Sequence, residues 1–162
     1  MEYRHIMPSD DSLIARIIRD NLKANHLDVP GTVYYDSNLD HISEFYMAYP
    51  AKRDYYILTD DEGVVIGGIG LAEFDGFEDC AELQKLYLAD EAKGNHLGYD
   101  MIRLIEERAV EKGYRQMYLE THTNLSAAIH IYEKCGYKQI SKPESVVHGG
   151  MNRFYIKELE YF

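Results

Sequence analysis

Residues 86–113, LYLADEAKGNHLGYDMIRLIEERAVEKG, restrict the possible folds of this chain more than any other stretch. They read as the end of an apolar strand, a short polar loop and a long amphipathic helix, and the loop carries Lys93, Gly94, Asn95, His96, Leu97 and Gly98. The first backbone N–H groups of a helix have no internal partner and lie at the positive end of its dipole. A glycine-bearing loop that leads from a strand into a helix therefore offers several donors to one anion, and a phosphate-bearing ligand is expected there. The helix, expected over 97–112, sets Leu97, Met101, Leu104, Ile105 and Ala109 on one face, and Gly113 falls at the position of a C′ glycine.

The remaining elements follow in order. Residues 2–7 alternate as a first strand, stopped by Pro8 and Ser9. Ser9 or Asp10 then caps a helix whose apolar positions Leu13, Ile14, Ile17, Ile18 and Leu22 have helical spacing. Residues 26–38, with Pro30, Gly31, Tyr34, Tyr35 and Asp36, read as loop, and a shorter helix is expected over 40–49. YYILT and VVIGGIG flank the acidic turn Asp60, Asp61, Glu62, Gly63 as a hairpin, whose glycines Gly67, Gly68 and Gly70 mark a bulge or a close backbone approach. Strands are expected over 81–88, from Met117, over 137–140 and over 153–159, with a helix over 125–135 closed by Gly136. The result is a mixed α/β chain read as one domain over 1–162.

Bulk composition narrows the function. With 46% hydrophobic residues, 28% charged residues and no low-complexity tract, a core can form without staples. Cys80 and Cys135 are isolated and read as reduced thiols. The net charge of −11 opposes binding to nucleic acid or to an anionic membrane and mildly favours a cationic small molecule. No basic leader and no apolar run of membrane length is found, so a soluble cytoplasmic protein is expected, as monomer or homodimer. The seven histidines do not fall at zinc spacings, and no metal is expected; His148, before two glycines, is one of them.

Two motifs carry a resemblance. ELQKLYL at 82–88 followed by KGNHLG and the long helix, and AAIHIYEKCGY at 127–137, together resemble the pyrophosphate loop (commonly Q/R-x-x-G-x-G/A) and the A-I-x-L-Y-E-K-x-G-F signature of the GNAT superfamily of N-acetyltransferases. The element order matches along essentially the whole chain. What the resemblance implies is a mostly antiparallel central sheet of six to seven strands with about four helices, and acetyl-CoA as acetyl donor. In that family the cofactor lies in a V-shaped opening between the strands matching 81–88 and 116–120. Its pantetheine arm pairs with backbone around Leu86, Tyr87 and Leu88, and its pyrophosphate sits on the N–H groups of Asn95, His96, Leu97, Gly98 and Tyr99, with Lys93 and Gly94 also cofactor-binding residues of the loop. Two loop positions depart from the pattern. Lys93 replaces Gln or Arg, and His96 stands at the first glycine. Either that glycine serves a left-handed backbone, which strains an imidazole, or a helical φ suffices and His96 points outward.

The same resemblance assigns chemistry. Tyr132, in the context Tyr132-Glu133-Lys134-Cys135-Gly136-Tyr137, matches the general acid that protonates the departing CoA thiolate; its alternative is packing on the helix face. The family asparagine that contacts the cofactor would fall at Leu125, and Asn124, one position early, takes that role or caps the helix. A base is required because an ammonium has no lone pair. Glu82 fits it, with Glu120 next and Glu73 and Asp75 behind. A strand N–H near Leu86 or Leu88 would meet the charge that develops on the carbonyl oxygen. Cys135 reads as packing. The acceptor, expected to be a small-molecule primary amine such as an amino acid or polyamine, would meet Tyr34, Tyr35, Asp36, Tyr46, Glu120 and the 148–155 stretch. A competing class is a catalytically weak acyl-CoA-binding module of the same fold. A dinucleotide-binding dehydrogenase is disfavoured, because G-x-G-x-x-G is absent and the glycine loop follows the fourth strand.

Overall fold

The computed structural model describes residues 1–146 and 149–160. Its elements run β1 (Glu2–His5), α1 (Asp11–Ala24), α2 (Ile42–Met47), β2 (Asp54–Thr59), β3 (Val65–Glu73), β4 (Cys80–Leu88), α3 (Leu97–Glu111), β5 (Gln116–Thr121), α4 (Ser126–Lys134), β6 (Lys138–Ile140) and β7 (Arg153–Glu158). One sheet holds the strands in the order β1-β2-β3-β4-β5-β7-β6, and among its neighbours only β4 and β5 run parallel. The expected element order and mostly antiparallel sheet are present. The second helix is shorter than the 40–49 read from sequence, because a 3₁₀ turn occupies Ser37–His41.

Helices cover both faces of the sheet. On one, α1 contributes Ile14, Ile18 and Leu22 and α2 contributes Ile42 and Tyr46 to a core with Tyr55 and Ile57. On the other, Met101, Ile102, Ile105 and Ala109 of α3 and Tyr132 of α4 pack on Ile69, Leu71, Ala81 and Leu83. Burying a side chain of this size stabilises by about 1.5–3 kcal/mol, so each layer fixes its helices. Leu13, read from spacing as part of the α1 stripe, is an exception at 47% exposed. Asp10 occupies the cap position of α1, but its carboxylate accepts from the Met7 N–H and from Arg4 instead of capping the helix.

Three residues bend β4. Gly70 pairs with Gln84 and Gly68 with Tyr87, so β4 uses one residue more than β3 and bulges at Lys85 and Leu86. Lys85 has φ +51°, and its carbonyl accepts a 2.8 Å hydrogen bond from the Tyr55 hydroxyl. The Tyr55 ring lies on Gly68 and Gly70, where an added methyl would come within 2.4–2.8 Å of it. These glycines therefore serve close approach, admitting a ring that holds the bulge, whereas the extra residue of that bulge lies on β4 and not at the glycines.

Candidate active site

Ahead of the bulge β4 leaves its parallel neighbour. The two strands pair only at Cys80–Gln116, Ala81–Met117 and Glu82–Tyr118, and past that point an opening separates residues 83–88 from the end of β5. The β3 register turns the backbone groups of Tyr87 inward, and the Ala89 N–H donates to the Ile66 carbonyl at 2.8 Å. By alternation the N–H groups of Leu86 and Leu88 face the opening. The Leu88 carbonyl accepts from Asn21 Nδ2 at 2.9 Å, which ties this strand end to α1.

At the mouth of the opening begins α3. No described residue accepts a hydrogen bond from the N–H groups of Gly94, Asn95, His96, Leu97 or Gly98, whereas Lys93 and Tyr99 donate to the Asp90 and His96 carbonyls. Gly94 and His96 both have positive φ, +83° and +58°. That alternation gathers successive N–H groups into a concave donor set, and the helix dipole adds to it. A pyrophosphate fits these donors. Position 96 is thus left-handed, and the reading in which a helical φ suffices is corrected. The His96 imidazole itself is exposed, 6.1 Å from the Tyr99 ring, and leaves the donors open. Lys93 extends to Asp90 at 2.8 Å on the surface. Gly98 is buried against α4, where an added methyl would meet Ile131 Cδ1 at 3.2 Å.

Tyr132 projects from α4 and is 6% exposed. No described residue hydrogen-bonds its hydroxyl, yet that oxygen is not sealed from solvent. Burial and the neighbouring Tyr87 hydroxyl push its pKa well above the ordinary tyrosine value, so it keeps its proton at neutral pH. Tyr87 is likewise raised by burial, to about 12.

Opposite lies a pair of carboxylates. Glu82 stands at the last β4–β5 pair, and its Oε1 accepts from Gln84 Nε2 at 2.9 Å. Gln84 Oε1 in turn accepts from the Tyr46 hydroxyl at 2.7 Å, so α2 orients Glu82 through the amide. Burial, opposed by the Gln84 bond and reinforced by the charge of Glu120, raises Glu82 from 4.5 to about 7. Glu120 accepts from the Tyr118 hydroxyl at 2.8 Å. Glu73 is held by Arg53 at 2.6 Å, and Asp75 is an exposed loop residue.

The sequence-derived acceptor loops meet where the Gly150 N–H donates to the Gly31 carbonyl at 2.9 Å. Tyr34 packs on the α1 core and Tyr35 is exposed, while Asp36 acts electrostatically on Lys85. His148 lies outside the described residues. Asn124 does not cap α4. The cap position is Leu125, and the Asn124 amide donates to the Asn25 carbonyl at the end of α1. Among the described residues no three His, Cys, Asp or Glu side chains are placed to hold a metal, and no helix is long and apolar enough to cross a membrane.

Gln84, Tyr118 and Lys85 were missed by sequence reading. The first was legible, because residues two apart on a strand share a face. Lys85 was not, because only the bulge turns it to the side of Glu82 and Gln84.

The chain matches the model of the acetyltransferase (GNAT) family over residues 17–137. It is 35% identical over 139 residues to the uncharacterized N-acetyltransferase YjgM of Escherichia coli (strain K12), covering 85% of this chain and 81% of that one. Among solved structures, a GNAT-family acetyltransferase from Staphylococcus aureus Mu50 superposes with a TM-score of 0.84 at 18% identity, covering 98% of this chain and 99% of the other. A phosphinothricin acetyltransferase from Sinorhizobium meliloti in complex with acetyl-CoA superposes with a TM-score of 0.74 at 20% identity, over 98% and 88%. The opening between β4 and β5, the donor set at α3 and the matched sequence lead to one conclusion: the chain belongs to the GNAT family of acetyltransferases, with acetyl-CoA as its acetyl donor.

Proposed function

We propose that the chain transfers an acetyl group directly to the primary amine of a small molecule, with Glu82 as base and Tyr132 as acid. The observation that carries this reading is the β4–β5 opening itself, with a carboxylate raised to about 7 on one side and an unpartnered, protonated phenol on the other. The N–H groups of 94–98 would hold the pyrophosphate, and the edge of Leu86 and Leu88 would hold the pantetheine arm. Bound there, acetyl-CoA supplies an acyl carbon that a neutral amine can attack. Glu82 takes the proton from the incoming ammonium at a carboxylate oxygen, and a pKa near the working pH suits it to accept that proton and release it. Tyr132 Oη gives its proton to the departing sulfur. A Leu86 or Leu88 N–H is a donor for charge that develops on the carbonyl oxygen. Glu120 and Asp36 add negative charge that attracts a cationic acceptor. The unpaired Cys80 and Cys135 fit a reducing, cytoplasmic setting.

The test is thiol release from acetyl-CoA with a panel of amines, amino acids, polyamines and peptides. Turnover with small amines that falls in Glu82→Gln and Tyr132→Phe, with CoA affinity preserved, supports the reading. Tight CoA binding without turnover on any amine would leave only a CoA-binding module.

A further inference from the structure

The backbone of Lys85 serves the bulge, but its ammonium has no part in the fold or in the transfer chemistry. As the extra residue of the β4 bulge it lies on the sheet side of Glu82, Gln84 and Tyr87, away from the face on which α3 packs. The side chain is half-buried, and its ammonium makes no hydrogen bond or ion pair with any described residue. Every other half-buried lysine or arginine meets a carboxylate, a carbonyl or an aromatic face. Lys157 meets Glu106, Arg53 meets Glu73, and Lys112 meets the Pro50 carbonyl. Burial lowers the pKa of Lys85, while Glu82 on β4 and Asp36 on the facing loop act in the opposite sense. Neither carboxylate lies within 4 Å of it, so its N–H donors remain available.

A buried ammonium without a partner is costly, and the cost is recovered when an anion arrives beside it. The placement decides which anion. Lys85 is three residues from the proposed base on the same strand, so an anion at Lys85 belongs to the molecule whose amine is at Glu82. Its single ammonium can pair with one carboxylate, whereas a phosphate dianion would bring excess negative charge toward Glu82 and Asp36. A polyamine would bring a second ammonium against Lys85. The CoA phosphates are directed to the α3 donors, on the other side of the sheet.

We infer that the acceptor is an amino acid, a small molecule with a carboxylate next to the amine that is acetylated, and that Lys85 is the residue that recognises this carboxylate. The inference rests on the transfer reading above and specifies its substrate. Tyr55 is then a positioning residue, since its hydroxyl and ring set the backbone from which Lys85 projects.

The experiment compares free amino acids with their carboxamides, their decarboxylated amines and spermidine, each with acetyl-CoA. For the unaltered chain kcat/KM is expected to be at least tenfold higher for the amino acid than for the carboxamide or the amine. In Lys85→Met that preference collapses at least tenfold through KM, with kcat changed by less than about threefold, and Lys85→Arg restores part of it. Calorimetric titration of amino acid into the CoA-loaded chain supplies a second readout, with binding weakened by Lys85→Met. Equal or better turnover of spermidine or of decarboxylated amines overturns the inference while the transfer reading stands, and the unaltered chain alone decides this if Lys85→Met fails to fold. Binding of amino acid that depends on Lys85, without any turnover, overturns the transfer reading and keeps the carboxylate site. No binding and no turnover overturns both.

Discussion

Replacing Glu82 by glutamine should lower activity and raise stability, each in a defined pH range. The folded chain holds the Glu82 proton up to about pH 7, whereas an unfolded glutamate releases it near 4.5. Between those values the folded state binds more protons than the unfolded one, so stability falls as pH rises through the window and stays lowered above it. Taken in full, the raise corresponds to about 3 kcal/mol, and the partial exposure of the carboxylate reduces this to about 2 kcal/mol. Glu82→Gln keeps the shape and an acceptor oxygen for Gln84 but carries no charge to bury. At pH 8 the variant should be more stable by about 2 kcal/mol, an increase of roughly 4–8 °C in Tm for a chain of this size. Below pH 4.5 the two proteins should melt together. Over the same range kcat/KM of the unaltered enzyme should fall about tenfold per pH unit below about 7. The variant should lack that limb and run about 10²–10⁴-fold slower at pH 8. Thermal melts from about pH 4 to 9 and initial rates over the same range provide both curves. A variant that is destabilised at pH 8, or that keeps the limb near 7, would refute the assignment of a raised, catalytic carboxylate to Glu82.

Other substitutions probe the acid, the bulge and the buried charge. Tyr132→Phe should reduce kcat by about 10²-fold or more with CoA affinity nearly unchanged by equilibrium binding. Its Tm should stay within about 1–2 °C, since the hydroxyl has no hydrogen bond to lose. Gly68→Ala places a methyl 2.4–2.8 Å from the Tyr55 ring and hydroxyl, and urea titration should show a loss of about 1–3 kcal/mol, with weaker CoA binding as Tyr55 leaves the Lys85 carbonyl. Glu106→Ala removes the acceptor for the Tyr137 hydroxyl at 2.8 Å and for Lys157 at 2.9 Å, and chemical denaturation should show a loss of about 3 kcal/mol with the acceptor preference unaltered.

What the sequence disclosed about this molecule was periodic and local. The α3 stripe, the hairpin around Asp60 to Gly63 and the closing glycines Gly113 and Gly136 all follow from patterns a few residues long, and the last two have the positive φ their positions demand. Position 96 shows where a residue-type rule stops short. The left-handed backbone there is fixed by the turn into α3, and histidine tolerates it at a cost of about 1 kcal/mol because its ring points to solvent. Asn124 shows a second limit. Cap chemistry offers it, as one reading, a place at the start of α4, but its amide reaches the Asn25 carbonyl, 99 residues away in the chain.

The acceptor side was least legible because it depends on a register shift. Alternation along 82–88 puts Glu82 and Gln84 on one face and Lys85 on the other, and a strand read without a bulge would send Lys85 into the α3 core. The displacement originates in β2 and β3, where Tyr55 needs two glycines beneath its ring and its hydroxyl then holds the Lys85 carbonyl. The β4–β5 pairing has already ended at Glu82, ahead of the bulge, and past the bulge the Leu86 edge borders the opening. The bulge therefore shapes one wall of the opening proposed for the cofactor arm and sets Lys85 on the same wall as the proposed base. Any change that irons out the bulge, such as Gly70→Val, should remove CoA binding and acceptor preference together, whereas changes at Glu82 or Lys85 should separate them.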